Sequence, residues 1–170
     1  GPFLTYTPEY SVNPADYVPS SLTFGWYQSG NRATNIINVS LAVQVGGLWY
    51  ASATTFSTPS IGITAPQYKT LMYDPSAANW RTINFDGTYD GLTTAADSSV
   101  ALSLGANPGA DLSGIITAFG LYETTTTDGT LRVDVFEINA TPVPEPTTAT
   151  LLGLGATAVM AFWRRKRQVC

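Results

Sequence analysis

The sequence predicts an all-β fold: an antiparallel β-sandwich of jelly-roll type with about eight strands, followed by a single C-terminal transmembrane helix. Three observations carry this expectation. Short runs of alternating apolar and polar residues recur at even spacing, with turns rich in glycine, proline and aspartate between them; strands of a two-sheet domain read this way. No stretch before residue 141 shows the period of an amphipathic helix. Residues 147–163 then carry no charge at all and run into Arg164-Arg165-Lys166-Arg167. The chain divides accordingly into a Pro/Tyr-rich extended lead-in (1–20), a sandwich domain (21–140) and a tail (141–170).

The lead-in holds Pro2, Pro8, Pro14 and Pro19 among Tyr6, Tyr10 and Tyr17. So many prolines leave no room for a helix and favour an extended segment or an edge strand. Residues 21–28 make the next strand, closed by Ser29-Gly30-Asn31. Residues 35–45 alternate most clearly: Val39, Leu41, Val43 and Val45 share one face, Ser40, Ala42 and Gln44 the other, as in a half-buried strand. Gly46-Gly47 joins it to the strand 48–56 in a tight hairpin, because primed turns need positive φ. After the loop 58–66 come strands 67–73 and 79–85, separated by Asp74-Pro75 and a short turn at 76–78. A loop over 86–96 leads to the strand 98–104 and a second loop over 105–113. Strands 114–122 and 130–138 are expected to form another hairpin across Asp128-Gly129, a strong turn dipeptide. In the last strand Leu131, Val133 and Val135 face one way, Arg132, Asp134 and Phe136 the other.

Composition removes whole classes of chemistry. There is no histidine, and the single cysteine is Cys170. Ser-His-Asp and Cys-His catalysis, disulfides within the chain and the usual zinc or copper sites are excluded. Up to residue 163 there are twelve acidic and four basic residues, a charge of −8, and the closing cations restore +4. An acidic domain of this kind argues against nucleic-acid binding, which needs a basic face.

Three kinds of candidate site remain. Trp26, Trp49, Trp80 and Tyr89 are candidate platforms for stacking a sugar ring. Asp86, Asp90 and Asp97, in and after a glycine-bearing loop, are candidate calcium ligands, although the spacing departs from an EF-hand and Asp-Gly is also a common turn. No other cofactor is expected. Glu123, Glu137 and Asp134 are the carboxylates to weigh for glycoside hydrolysis, which needs two of them across a cleft. Glu137 and Asp134 fall on opposite strand faces, and Asp134 with Arg132 suits a solvated ion pair. No catalytic residues are assigned, and the protein is expected not to be an enzyme.

The tail carries the firmest signal. Pro144-Glu145-Pro146 forms a rigid spacer. The uncharged run 147–163 reaches about 25 Å as a helix, at the short end of what crosses a bilayer. The cations Arg164, Arg165, Lys166 and Arg167 then stop translocation, and Trp163 suits the interface. These residues resemble the PEP-CTERM sorting signal of Gram-negative bacteria. The resemblance implies Pro144, Glu145 and Pro146 as the motif recognised by an exosortase, 151–163 as the span and Arg164 to Arg167 as the stop. It implies export, a transient stay at the inner membrane through 147–163, and release or transfer to the cell surface or matrix. The family is linked with exopolysaccharide and biofilm. The body of the chain is similar to the uncharacterised β-sandwich of some such proteins, on SLAVQVGGLWYAS and GIITAFGLY…GTLRVDVFEI, and that likeness brings no activity.

The resulting expectation is an exported structural or adhesive protein with exosortase, membrane and polysaccharide as partners. A carbohydrate-binding module is one alternative, and a fragment of a secreted glycoside hydrolase or lyase another. The sequence starts at Gly1 without Met or signal peptide. Export needs such a signal, so further N-terminal sequence is expected upstream.

Overall fold

The computed structural model describes residues 2–28, 36–59, 63–85, 102–125 and 131–144. They form nine strands: β1 (Pro2–Thr7), β2 (Tyr17–Gln28), β3 (Asn38–Val45), β4 (Leu48–Ser57), β5 (Ile63–Met72), β6 (Trp80–Phe85), β7 (Leu102–Leu104), β8 (Ile116–Thr124) and β9 (Arg132–Pro142). One turn of 3-10 helix, Ala77–Asn79, precedes β6. All pairings are antiparallel. Among the described residues no helix is long and apolar enough to cross a membrane. The run 147–163 lies outside them.

The strands divide into a sheet of six, in the order β1-β8-β3-β4-β6-β7, and a sheet of three, β5-β2-β9. This is an uneven division, where a jelly roll has eight strands in two Greek keys. The sheets face each other across one apolar cluster. Leu22, Phe24 and Trp26 come from the small sheet, and Val39, Leu41, Val43, Ile116, Phe119 and Leu121 from the large one.

The large sheet is buried on its other face too. Leu4, Ala42, Trp49, Ala51, Ile83, Leu102, Ala118 and Tyr122 make a second cluster to which each of its six strands contributes. Its two edge strands, β1 and β7, approach each other, so the sheet curls around this cluster. The curl corrects the half-buried reading of β3: Ser40 and Ala42 are buried along with the valines. A row of small residues permits it. Gly120, Ala42 and Ala51 stand side by side on β8, β3 and β4, and Tyr6 of β1 pairs with Gly120. Tyr6 meets Trp49 edge-on at 5.1 Å.

Gly120 is required by close approach. A Cβ there would run into the Thr5 carbonyl oxygen and lie 2.8 Å from Tyr6 Cβ. Gly120→Val is therefore expected to push β1 off the sheet edge and to destabilise by about 1–3 kcal/mol. Thermal unfolding measures the loss. Faster amide exchange at residues 3–7 would locate it.

The edge strand that the prolines of the lead-in favour is β1, at one side of the large sheet. Three strand expectations are corrected. β2 begins at Tyr17 rather than at residue 21 and passes through Pro19 beside a register shift, where a missing N–H is tolerated. β5 starts at Ile63 and runs through Pro66, which an edge strand allows. The last two strands do not form a hairpin. β8 pairs with β1 and β3 in the large sheet, while β9 pairs with β2 in the small one. Asp128-Gly129 lies outside the described residues. A turn dipeptide reverses the chain but does not choose its partner. β8 buries both faces and needs neighbours on both sides, whereas β9 is largely exposed and suits an edge.

The alternation in β9 also breaks. Gly25 pairs with Val135 and Trp26 with Val133, which leaves Asp134 in a bulge. Leu131, Val133, Phe136 and Ile138 all pack on the core, and Val135 is 38 % exposed.

Candidate functional site

A cleft of about 540 Å³ opens between β4 and β5, within the size range of small-molecule sites. Two open strand edges make it. β4 pairs with β6 only from Tyr50 to Ser52, so among the described residues its second half has no neighbour on that side. Among the described residues β5 pairs with β2 alone. Thr54, Thr55, Phe56 and Ser57 line one wall, and Lys69, Thr70, Leu71 and Met72 the other, with Asp74, Asn79 and Trp80 completing the lining.

The local sequence explains the opening. Between the pairs Ser40–Thr55 and Ala42–Ala51, β4 advances four residues while β3 advances two. Such a bulge leaves residues unpaired and redirects their side chains. The Thr54 N–H bonds instead to Ser52 Oγ at 3.1 Å. On the far side, Asp74-Pro75 and the 3-10 turn delay β6. The Ser76 N–H donates to Asp74 Oδ1 at 2.9 Å, and the Ala77 N–H to Asp111 Oδ1 at 2.8 Å. Trp80 closes the turn by donating its Nε1–H to the Asp74 carbonyl at 2.6 Å. Tyr73 tilts against Trp80 at 5.5 Å. Burial, and after it the charge on Asp74, pushes the Tyr73 hydroxyl up to about 12.

Lys69 is the unusual member. It pairs with Phe24 and so shares the inner face with Leu71. Inward-pointing charge on an edge strand blocks unwanted strand addition. Its Nζ lies 5.1 Å from the centre of the Phe56 ring. No carboxylate of the described residues pairs with it. Several hydroxyls are already engaged: Thr55 with Ser40 at 3.1 Å, Ser57 with Asn38 at 2.7 Å and Thr70 with Thr23 at 2.8 Å. The Lys69 ammonium, the second carboxylate oxygen of Asp74, the Asn79 side-chain amide and the Thr54 hydroxyl have no hydrogen-bond partner among the described residues.

None of these five residues, Thr54, Phe56, Lys69, Asp74 and Asn79, stood out in the sequence. One signal was present: in Tyr68-Lys69-Thr70-Leu71 the lysine occupies the apolar register of its strand.

The residues singled out from sequence lie elsewhere. Trp26, Trp49 and Trp80 are 4 %, 9 % and 1 % exposed and belong to the apolar clusters. They are core side chains, and none offers an open stacking surface. Tyr89 lies outside the described residues, as do Asp86, Asp90 and Asp97. Among the described residues no three acidic or thiol side chains gather to hold a metal ion. The weighed carboxylates are kept apart. Glu123 is buried on β8, accepts a hydrogen bond from Thr5 Oγ1 at 3.0 Å, and is pushed up to about 7 by that burial. Glu137 is on the other sheet and faces outward, between the core residues Phe136 and Ile138. Arg132 lies on the ring of Tyr27, 5.5 Å from its centre, and donates to its hydroxyl at 3.2 Å.

The other candidate site is the tail. β9 stays attached through Val143, whose N–H donates to the Asp16 carbonyl at 2.8 Å. Pro144 follows directly and is exposed. Glu145, Pro146, Arg164, Arg165, Lys166 and Arg167 lie outside the described residues. Comparison with curated proteins and with solved structures gives no match for the chain. Residues 142–167 match the PEP-CTERM protein-sorting motif. The chain is thus one that carries a PEP-CTERM sorting motif, which implies an exported protein processed by an exosortase.

Proposed function

We propose that this protein is the non-enzymatic cargo of its own sorting tail, with a structural or adhesive role toward extracellular polysaccharide. The apolar run 147–163 holds the precursor in the inner membrane as a helix. An exosortase cuts near Pro144-Glu145-Pro146, and the β-domain goes to the cell surface or the matrix. The observation that carries this reading is the motif match over residues 142–167. The physical order of the parts supports it: rigid spacer, uncharged run, four cations.

Seven residues, Pro144 to Thr150, lie between Val143, whose N–H is bonded to Asp16, and the span that begins at Leu151. Fully extended, such a link reaches about 28 Å. The motif itself begins directly after Val143, so the exosortase works next to the folded β-domain.

Expression of the full chain with and without an exosortase, followed by intact mass, tests the reading. With the enzyme, the chain is expected to lose the mass of its tail at or near the motif. Replacement of Pro144, Glu145 and Pro146 by alanine is expected to leave the full mass in place. An unchanged mass for the unmodified chain in the presence of an exosortase active on another substrate overturns the sorting role.

A further inference from the structure

We propose that the cleft between β4 and β5 binds a carboxylate-bearing pyranose, such as a uronic acid unit of a polysaccharide. This deepens the adhesive reading above and rests on it. The cleft lining carries one cation together with polar groups that no neighbour among the described residues takes up. A half-buried ammonium, Lys69, stands on one wall without a carboxylate partner among the described residues. The Asp74 carboxylate and the Asn79 amide complete the lining, and the Thr54 hydroxyl lies on the facing strand. A uronic acid ring presents the matching groups. Its carboxylate is on one side of the ring, and its vicinal hydroxyls are on the other. A carboxylate oxygen and a side-chain amide together can bond a vicinal diol, one accepting and the other donating or accepting. The ammonium supplies a charge-assisted bond to the acid.

The chain as a whole is acidic, with twelve acidic against eight basic residues, four of them in the tail. Long-range attraction therefore does not draw anions to the domain, so selectivity for an acidic sugar must come from Lys69 at short range. Its place over Phe56 also leaves that ring face covered. A neutral sugar stacking on Phe56 would have to displace the ammonium, whereas an acid group meets it where it lies. The bulge at β4 and the delayed start of β6 leave the cleft open.

The test is an NMR titration of the full chain in a zwitterionic detergent free of sugar. The probes are methyl glucuronoside, methyl galacturonoside, their neutral methyl glycosides, and an acetylated, amidated aspartate as a non-sugar acid. Saturable shifts at Thr54, Lys69 and the Asn79 side-chain amide are expected with a uronate, at a Kd of about 1 mM. The neutral glycosides are expected to bind about tenfold more weakly. Lys69→Met should abolish that preference while leaving weak binding, and Asn79→Ala should weaken acidic and neutral probes alike. Unchanged backbone spectra away from the cleft show that each variant is folded. No saturable shift with either uronate overturns the proposal. So does equal binding of the aspartate, or a preference that survives Lys69→Met. Tail cleavage is read in a separate assay, so loss of this site leaves the sorting role standing, and loss of the sorting role leaves these shifts unaffected.

Discussion

Trp80→Ala is expected to lower the unfolding free energy by about 3–5 kcal/mol. In a chain of this size that corresponds to a fall in Tm of roughly 10 °C. The indole is 1 % exposed and ranks among the largest fully buried side chains. It does three things that alanine cannot. It fills the inter-sheet core beneath the cleft. It packs against Tyr73 at 5.5 Å. Its Nε1–H satisfies the Asp74 carbonyl and so fixes the turn into β6. Trp80→Phe separates these roles, since it keeps most of the ring contact and loses the donor. Its expected cost is about 1–2 kcal/mol, the size of one hydrogen bond and a small void. Met72→Ala, at a side chain 69 % exposed on the cleft wall, should stay within about 0.5 kcal/mol of the parent. Urea titration of the three variants tests the order. If Trp80→Ala costs no more than Trp80→Phe, the ring is not acting as a core element.

The fold class was legible in the residues because alternation is a local property. Val39, Leu41 and Val43 are in the core, as their spacing requires. Gly46-Gly47 does turn β3 into β4, with both glycines at positive φ. What could not be read is what depends on partners distant in sequence. Asp128-Gly129 reads as a hairpin, yet β9 pairs with β2, more than a hundred residues earlier. The burial of Ser40 and Ala42 depends on the curl of a six-stranded sheet, which no single strand encodes. Straight alternation puts Val135 on the face of Val133. The bulge at Asp134 separates them, and a bulge leaves no mark in a hydrophobic pattern.

The candidate sites divide along the same line. The tail is a linear signal of spacer, apolar run and cations, so it could be read directly, and the match at 142–167 agrees with it. The cleft is made by β4, β5 and the turn before β6, and its residues acquire meaning only when those elements meet. Tryptophan has the flat, wide face that suits sugar stacking. In a domain of this size its large apolar surface is worth more inside, and Trp26, Trp49 and Trp80 are all there.

Stability is expected to fall as pH rises through the range between about 4.5 and 7, and Glu123→Gln should remove most of that slope. Glu123 is a carboxyl on β8, buried on the core side of the sheet near its end. Burial raises its affinity for a proton from 4.5 to about 7, against the opposing effect of the Thr5 hydroxyl bond. In the unfolded chain the group ionises near its ordinary value. Between those two values the native state holds a proton that the unfolded state has released, so stability declines with rising pH and then levels off above about 7. At about 1.4 kcal/mol per unit, the full decline from this group is about 3 kcal/mol. Glutamine keeps an oxygen for Thr5 Oγ1 to donate to and carries no charge. The variant should match the parent near pH 4 and exceed it by about 2–3 kcal/mol at pH 8. Urea midpoints of both proteins measured across that range give the comparison, and the difference between the two curves cancels the other carboxylates. Because β1 pairs over Glu123 and helps to bury it, ionisation favours opening of the edge strand: the cost of burying the charge outweighs the Thr5 hydrogen bond, which by itself favours the charged form. The parent's β1 amides should lose protection at pH 8, relative to those of β3, more than the variant's do. Parallel curves for the two proteins would mean that Glu123 reaches water in the native state, and that β1 is held by its backbone ladder, the packing of Leu4 and the Tyr6–Trp49 contact.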